Sequence, residues 1–243
     1  MKRRTLIEYS KVIIMSLVIT VVTAAFGFIQ FLFEDTERSE AASAIPTFPV
    51  TIIIDPGHGG EDGGAVGAAG SFEKDINLAV SKYLSDFLSS VDLNVILTRT
   101  SDTMLYKDGQ QSRKKFYDLH NRVEMCRTNP DALVISIHQN KFPIAKYSGL
   151  QVYYSKNHTS SRIFAEIVQG NTKKYLQRDN ERKIKEAGKN IFLLDKLECP
   201  AVIVECGFLS NPEEEKLLCS SDYQRKLAFV IFSSVMDYIN IDV

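Results

Sequence analysis

The sequence predicts an α/β fold, a mostly parallel central sheet with helices on both faces. Two observations predict it. Short apolar runs at 51–54, 132–137 and 201–204 stop at Pro, Gly or a polar residue, the pattern of strands buried on both faces. Between them lie stretches at 73–89, 112–127 and 161–177 with apolar residues three and four apart, which is the helical period. Strands alternating with helices give a layered, largely parallel sheet.

The chain has 243 residues and a formal net charge of −1. That length suits one catalytic-sized domain, 51–243, with an appendage. The near-neutral balance argues against nucleic acid as a partner, because phosphate binding needs a basic excess. The appendage divides into a short basic N-terminus (1–11), an uncharged apolar run (12–33) and a linker (34–50) punctuated by Pro46 and Pro49. The 22-residue run meets the roughly 20 helical residues that a bilayer core requires. Lys2, Arg3 and Arg4 before it keep the N-terminus on the cytoplasmic side and send the rest outside. A transmembrane signal anchor is therefore expected. The alternative is a cleaved signal peptide, with Ala42-Ser43-Ala44 as the cleavage site and a secreted product. Residues 1–44 carry five basic and five acidic side chains, so the exported part keeps the charge of −1.

In chain order, the first strand is Thr51 to Ile54, running into Asp-Pro-Gly-His-Gly-Gly. A Gly-rich loop follows, and Ser71 is the expected N-cap of a helix from Glu73 to Ser89. That helix turns Ile76, Val80, Leu84 and Leu88 to one side. Leu93 to Thr98 is a strand. Ser112 to Arg127 is a helix expected to bury Phe116, Leu119, Val123 and Cys126. The third long strand ends in His138. Leu150 to Tyr154 is a strand and Ser161 to Gln177 a helix, with Ile163, Phe164, Val168 and Tyr175 inward. Ile191 to Leu194 reads as a short strand, and Ala201 to Val204 as a strand ending in Glu205. Asn211-Pro212-Glu213-Glu214 opens a helix: an Asn cap, Pro in the first position and acids in the first turn. The last helix is Tyr223 to Tyr238. The basic stretch Lys173 to Lys189 reads as a solvated surface. The four cysteines, 126, 199, 206 and 219, contain no CxxC pair and are expected to be free thiols that pack as small hydrophobes.

Three strands end in His58, His138 and Glu205, and Glu73 opens the first helix. In an open α/β sheet these ends gather at one edge, where ligands bind. Two imidazoles and a carboxylate with one open position make a catalytic zinc set. A further carboxylate supplies the proton carrier for amide hydrolysis. Spacing leaves open whether Glu73 or Glu205 is the ligand. Asp55, before Pro56, is a candidate partner for orienting a ligand histidine. There is no HExxH, no GxxxxGK[ST] and no GxSxG, which sets aside those metalloprotease, nucleotide-binding and serine-hydrolase signatures.

DPGHGG, the glutamate of EKD, SIH followed one residue later by Asn140, and VECGFLSNPEE occur in an order that resembles the zinc-dependent N-acetylmuramoyl-L-alanine amidases. The resemblance runs from about Thr51 to the C-terminus. It implies His58, Glu73 and His138 as ligands of one zinc ion and Glu205 as the catalytic acid/base. It implies peptidoglycan strands with stem peptides as substrate. The membrane-proximal N-terminus, the SRKKFYDLHNRV helix and the lack of an added wall-binding domain resemble the germination-specific, spore-cortex branch. That resemblance implies stem-peptide removal before muramic δ-lactam formation, on the outer face of a membrane at the forespore cortex. An accessory exported protein is a further expectation. The rival readings are an exported zinc peptidase on wall peptides and a peptidoglycan-binding module without activity.

Overall fold

The computed structural model describes residues 51–241. The expected N-terminus 1–11, membrane anchor 12–33 and linker 34–50 lie outside the described residues, and among the described residues no helix is long and apolar enough to cross a membrane.

Among the described residues, six strands and six α-helices follow one another in a largely alternating order. The strands are β1 Thr51–Pro56, β2 Asn94–Leu97, β3 Leu133–Asn140, β4 Gln151–Tyr154, β5 Lys185–Glu186 and β6 Ala201–Phe208. The helices are α1 Glu73–Ser89, α2 Lys114–Arg127, α3 Thr159–Tyr175, α4 Phe192–Lys196, α5 Pro212–Leu218 and α6 Ser221–Ile239. The sheet order is β2-β1-β3-β6-β4-β5. Every neighbouring pair is parallel except β4 with β6. The predicted α/β class is the observed one.

The sheet is buried on both faces because its central strands are apolar on both. Ile52 and Ile54 join one core cluster with α1, α3 and α6 residues such as Val80, Phe164 and Ile231. Ile53 points the other way, into a cluster with Val123 and Cys126 of α2 and Leu194 of α4. Each such fully buried side chain contributes about 1.5–3 kcal/mol relative to exposure. The outermost strand β5 is two charged residues long, a short polar edge of the kind that discourages pairing with other chains.

Three local expectations are corrected. Ser71 does not cap α1; the cap position is Phe72, without a side-chain bond, and the Ser71 hydroxyl donates to Glu215 at 2.6 Å. Residues 192–196 form α4 instead of a strand, because four apolar residues satisfy either element and only packing decides. Phe116 of α2, and Ile163 and Tyr175 of α3, are exposed. The buried face of α2 carries Asp118 and Arg122 beside Val123 and Cys126, so a charged pair occupies what periodicity assigned to apolar residues. His158 caps α3 by accepting from Ser160 N–H at 3.2 Å. All four cysteines are free, three of them buried and Cys219 exposed.

Candidate active site

β1, β3 and β6 run parallel side by side, so their C-terminal ends share one edge. There β3 and β6 place His138 directly opposite Glu205 in register. Beyond β1 the chain turns at Gly57, whose N–H bonds Ile137 O at 3.0 Å. A Cβ on Gly57 would lie 2.2 Å from the His138 ring, so only glycine lets the two chain ends approach this closely. His58 itself has φ +63°. A non-glycine residue in this left-handed region costs of order 1–3 kcal/mol and persists only where the surroundings hold it.

The structure brings His58, Glu73 and His138 together. One ligand atom from each lies within 4.8 Å of the others. Glu73, the first residue of α1 and 4% exposed, is the hub. Its Oε2 is 3.3 Å from His58 Nε2, and its Oε1 is 2.9 Å from His138 Nδ1. Backbone N–H groups of Ala65 and Gln139 donate to the same carboxylate at 2.8 and 3.0 Å. Burial alone would raise the Glu73 carboxyl, but the bonds to both histidines outweigh it and hold the group far below the ordinary range. Asn77, one turn on, donates to Gly57 O at 3.0 Å and fixes the helix against the turn.

The outer partner of His58 is Asp62, 3.0 Å from Nδ1. Burial pushes the His58 imidazole down, yet Asp62 and Glu73 prevail and lift it to about 9. Asp55, the residue expected in this role, touches no histidine. It accepts from Thr98 Oγ1 at 2.6 Å and Ser136 Oγ at 2.7 Å and pairs with Arg122 at 2.7 Å. It therefore holds the Arg122 guanidinium and not a ring. Asp62, four residues after His58, is not singled out by the sequence, because it meets the ring only where Gly59 and Gly60, both at positive φ, fold the chain back.

Glu205 stands apart from the hub. Its Oε2 is shut from solvent and has no hydrogen-bond partner. Burial pushes its carboxyl up to about 7, because an unpaired buried carboxylate is costly to ionise. A cleft of about 250 Å³ opens onto His58, His138 and Glu205, with Lys115, Asn190 and Phe192 on its walls. The arrangement thus offers a nitrogen–nitrogen–oxygen set for a divalent metal and, across a small cleft, a carboxyl balanced between its two forms near neutral pH. His120 stays outside the cluster, its Nδ1 2.7 Å from Phe116 O.

Residues 52–237 match the N-acetylmuramoyl-L-alanine amidase family. The chain belongs to that family. It is a peptidoglycan amidase by class. It is 38% identical over 197 residues to the germination-specific N-acetylmuramoyl-L-alanine amidase of Bacillus subtilis, covering 80% of this chain and 82% of that one. It is 28% identical to the N-acetylmuramoyl-L-alanine amidase AmiA of Escherichia coli, over 78% of this chain and 76% of that one. Among solved structures, the CwlD amidase from Clostridioides difficile in complex with the GerS lipoprotein superposes with a TM-score of 0.75 at 38% identity, covering 79% of this chain and all of that one.

Proposed function

We propose that His58, Glu73 and His138 of this amidase hold one zinc ion and that Glu205 carries the proton when the amide between N-acetylmuramic acid and L-alanine is hydrolysed. The observation that carries the proposal is the convergence of three ligand atoms opposite a carboxyl whose buried Oε2 has no hydrogen-bond partner. The donor set fits zinc: two imidazoles and one carboxylate leave a position open. Filled, such a site supplies Lewis acidity toward the amide carbonyl and toward water.

The chain's own residues then have distinct tasks. Asp62 fixes the tautomer of His58 by accepting from Nδ1, leaving Nε2 free to face the site. Gln139 N–H, Ala65 N–H and Asn77 keep the Glu73 carboxylate aimed between the histidines. Glu205 accepts the proton of the attacking water. It delivers that proton to the amide nitrogen as the C–N bond breaks, leaving a carboxyl on the lactyl group and a free amine on L-alanine. A carboxyl poised near pH 7 can serve in both directions.

The germination-specific relative supports stem-peptide removal ahead of muramic δ-lactam formation in the spore cortex. The uncharged run 12–33 supports a membrane tether, with the domain on the outer face. The solved complex of a relative with a lipoprotein supports an accessory exported partner. The test is incubation of the full-length chain, with and without added zinc, on intact peptidoglycan, followed by mass spectrometry. Zinc-dependent release of peptides beginning with L-alanine is expected. Cleavage only between amino acids of the stem would make the enzyme a peptidase and refute the proposal.

A further inference from the structure

Arg122 is 3% exposed and sits on the buried face of α2, on the far side of the His58 turn from Glu73. A buried guanidinium needs both charge partners and acceptors for its five N–H groups. All five find one. Nε donates to Asp118 Oδ2 at 2.9 Å and Nη2 to Asp118 Oδ1 at 3.3 Å. Nη1 donates to Asp55 Oδ1 at 2.7 Å and to the Pro56 carbonyl at 2.8 Å. The remaining Nη2 bond goes to the carbonyl of His58, at 2.7 Å.

Two charges thus satisfy one arginine, and the arginine spends its spare donors on the backbone of the strained turn. Its anchors are independent of the turn. Asp55 is fixed by Thr98 and Ser136 from β2's end and β3, and Asp118 also accepts Leu105 N–H at 2.7 Å. Among the described hydrogen bonds, no other side chain donates to the His58 carbonyl. Arg99 makes the neighbouring contacts, donating to Pro56 O at 2.9 Å and Gly57 O at 3.1 Å. A residue at φ +63° has an alternative, relaxed backbone that would swing its ring away. The Arg122 bond opposes that relaxation.

We propose that Arg122 is a positioning residue: by holding the His58 carbonyl it keeps His58 in its left-handed conformation, with Nε2 aimed at Glu73, and so sets the metal affinity of the site. This rests on His58 being a zinc ligand. A lysine cannot replace the arginine, since three donors on one nitrogen cannot span Asp55, Asp118 and two carbonyls.

The test uses the full-length chain with three variants: Arg122→Lys, the double variant Asp118→Asn with Arg122→Gln, and His58→Ala as a reference. The double variant removes a charge from each side, so that no carboxylate at position 118 is left buried and unpaired. Zinc affinity is measured by competition with a chromophoric chelator, and folding of the metal-free protein by denaturant unfolding. Zinc affinity is expected to fall about 10–100-fold, as for other groups that orient a ligand, in each Arg122 variant that retains a cooperative metal-free unfolding transition. A folded Arg122 variant that binds zinc as tightly as the parent overturns the proposal. Loss of folding in both Arg122 variants also overturns it, because the arginine would then serve the whole domain and not His58. If His58→Ala itself retains zinc at parental affinity, the ligand assignment fails instead, and the two failures stay distinct.

Discussion

Glu205 shows how a single residue's surroundings set its chemistry. Its carboxyl is raised by burial from 4.5 to about 7, so between those pH values the native residue stays protonated while the unfolded chain ionises. Stability from this group is therefore lost as pH rises through that window, by on the order of 3 kcal/mol once pH exceeds 7. Glu205→Gln escapes the loss. In chelator, the variant is expected to match the parent near pH 4 and to exceed it by about 2–3 kcal/mol at pH 7.5, read by denaturant unfolding at both pH values. A difference independent of pH would contradict the account. The residues with this much chemistry were legible because each interrupts an apolar run at a strand end or opens a helix. Asp62 and Arg122 were not. Asp62 meets His58 only because two glycines at positive φ reverse the chain. Arg122 looks like an exposed helix residue until Asp55 and Asp118 are seen to be buried with it.

Among the elements, α5 is short, yet its first turn ties together β6, the segment before β4 and the loop before α1. Asn211 caps it, accepting from the N–H groups of Glu213 and Glu214 at 3.1 Å. Glu214 then accepts from the N–H groups of Gly149 and Phe208. Glu215 accepts from Ala69 N–H at 2.7 Å and the Ser71 hydroxyl at 2.6 Å. The second clamp holds the loop that leads into Glu73. Glu215→Ala removes the acceptor of those donors and is expected to cost about 1.5–3 kcal/mol, the range for bonds to a charged group, with faster amide exchange at Ala69 and Ser71. Unchanged stability and exchange would show that the loop holds itself. The helix start was legible from its cap and proline, but the Glu215 clamp was not, since its partners lie about 145 residues earlier. The reverse happened at α4. Its apolar residues were legible as buried, but its helical state was decided by contacts with α2 and β6.

Across the whole molecule, the parallel run β1-β3-β6 is what makes a site out of distant residues. It carries His58, His138 and Glu205 to one edge, and α1, returning antiparallel, brings Glu73 back to them. The order of strands and helices predicts that convergence only if the three strands are neighbours, which the sheet order β1-β3-β6 supplies. The order of the outer strands was not legible, because β5 is only two residues long and β4 reverses direction without a distinguishing pattern. The proposed mechanism divides the four residues into three ligands and one proton carrier. Zinc content measured beside the rate of muramoyl–alanine amide cleavage, on Glu205→Gln, tests it most directly. The variant is expected to keep one zinc per chain and to lose at least about 10²-fold in rate, the typical contribution of a general acid–base group. Loss of zinc from Glu205→Gln, or cleavage at the parental rate, would contradict it.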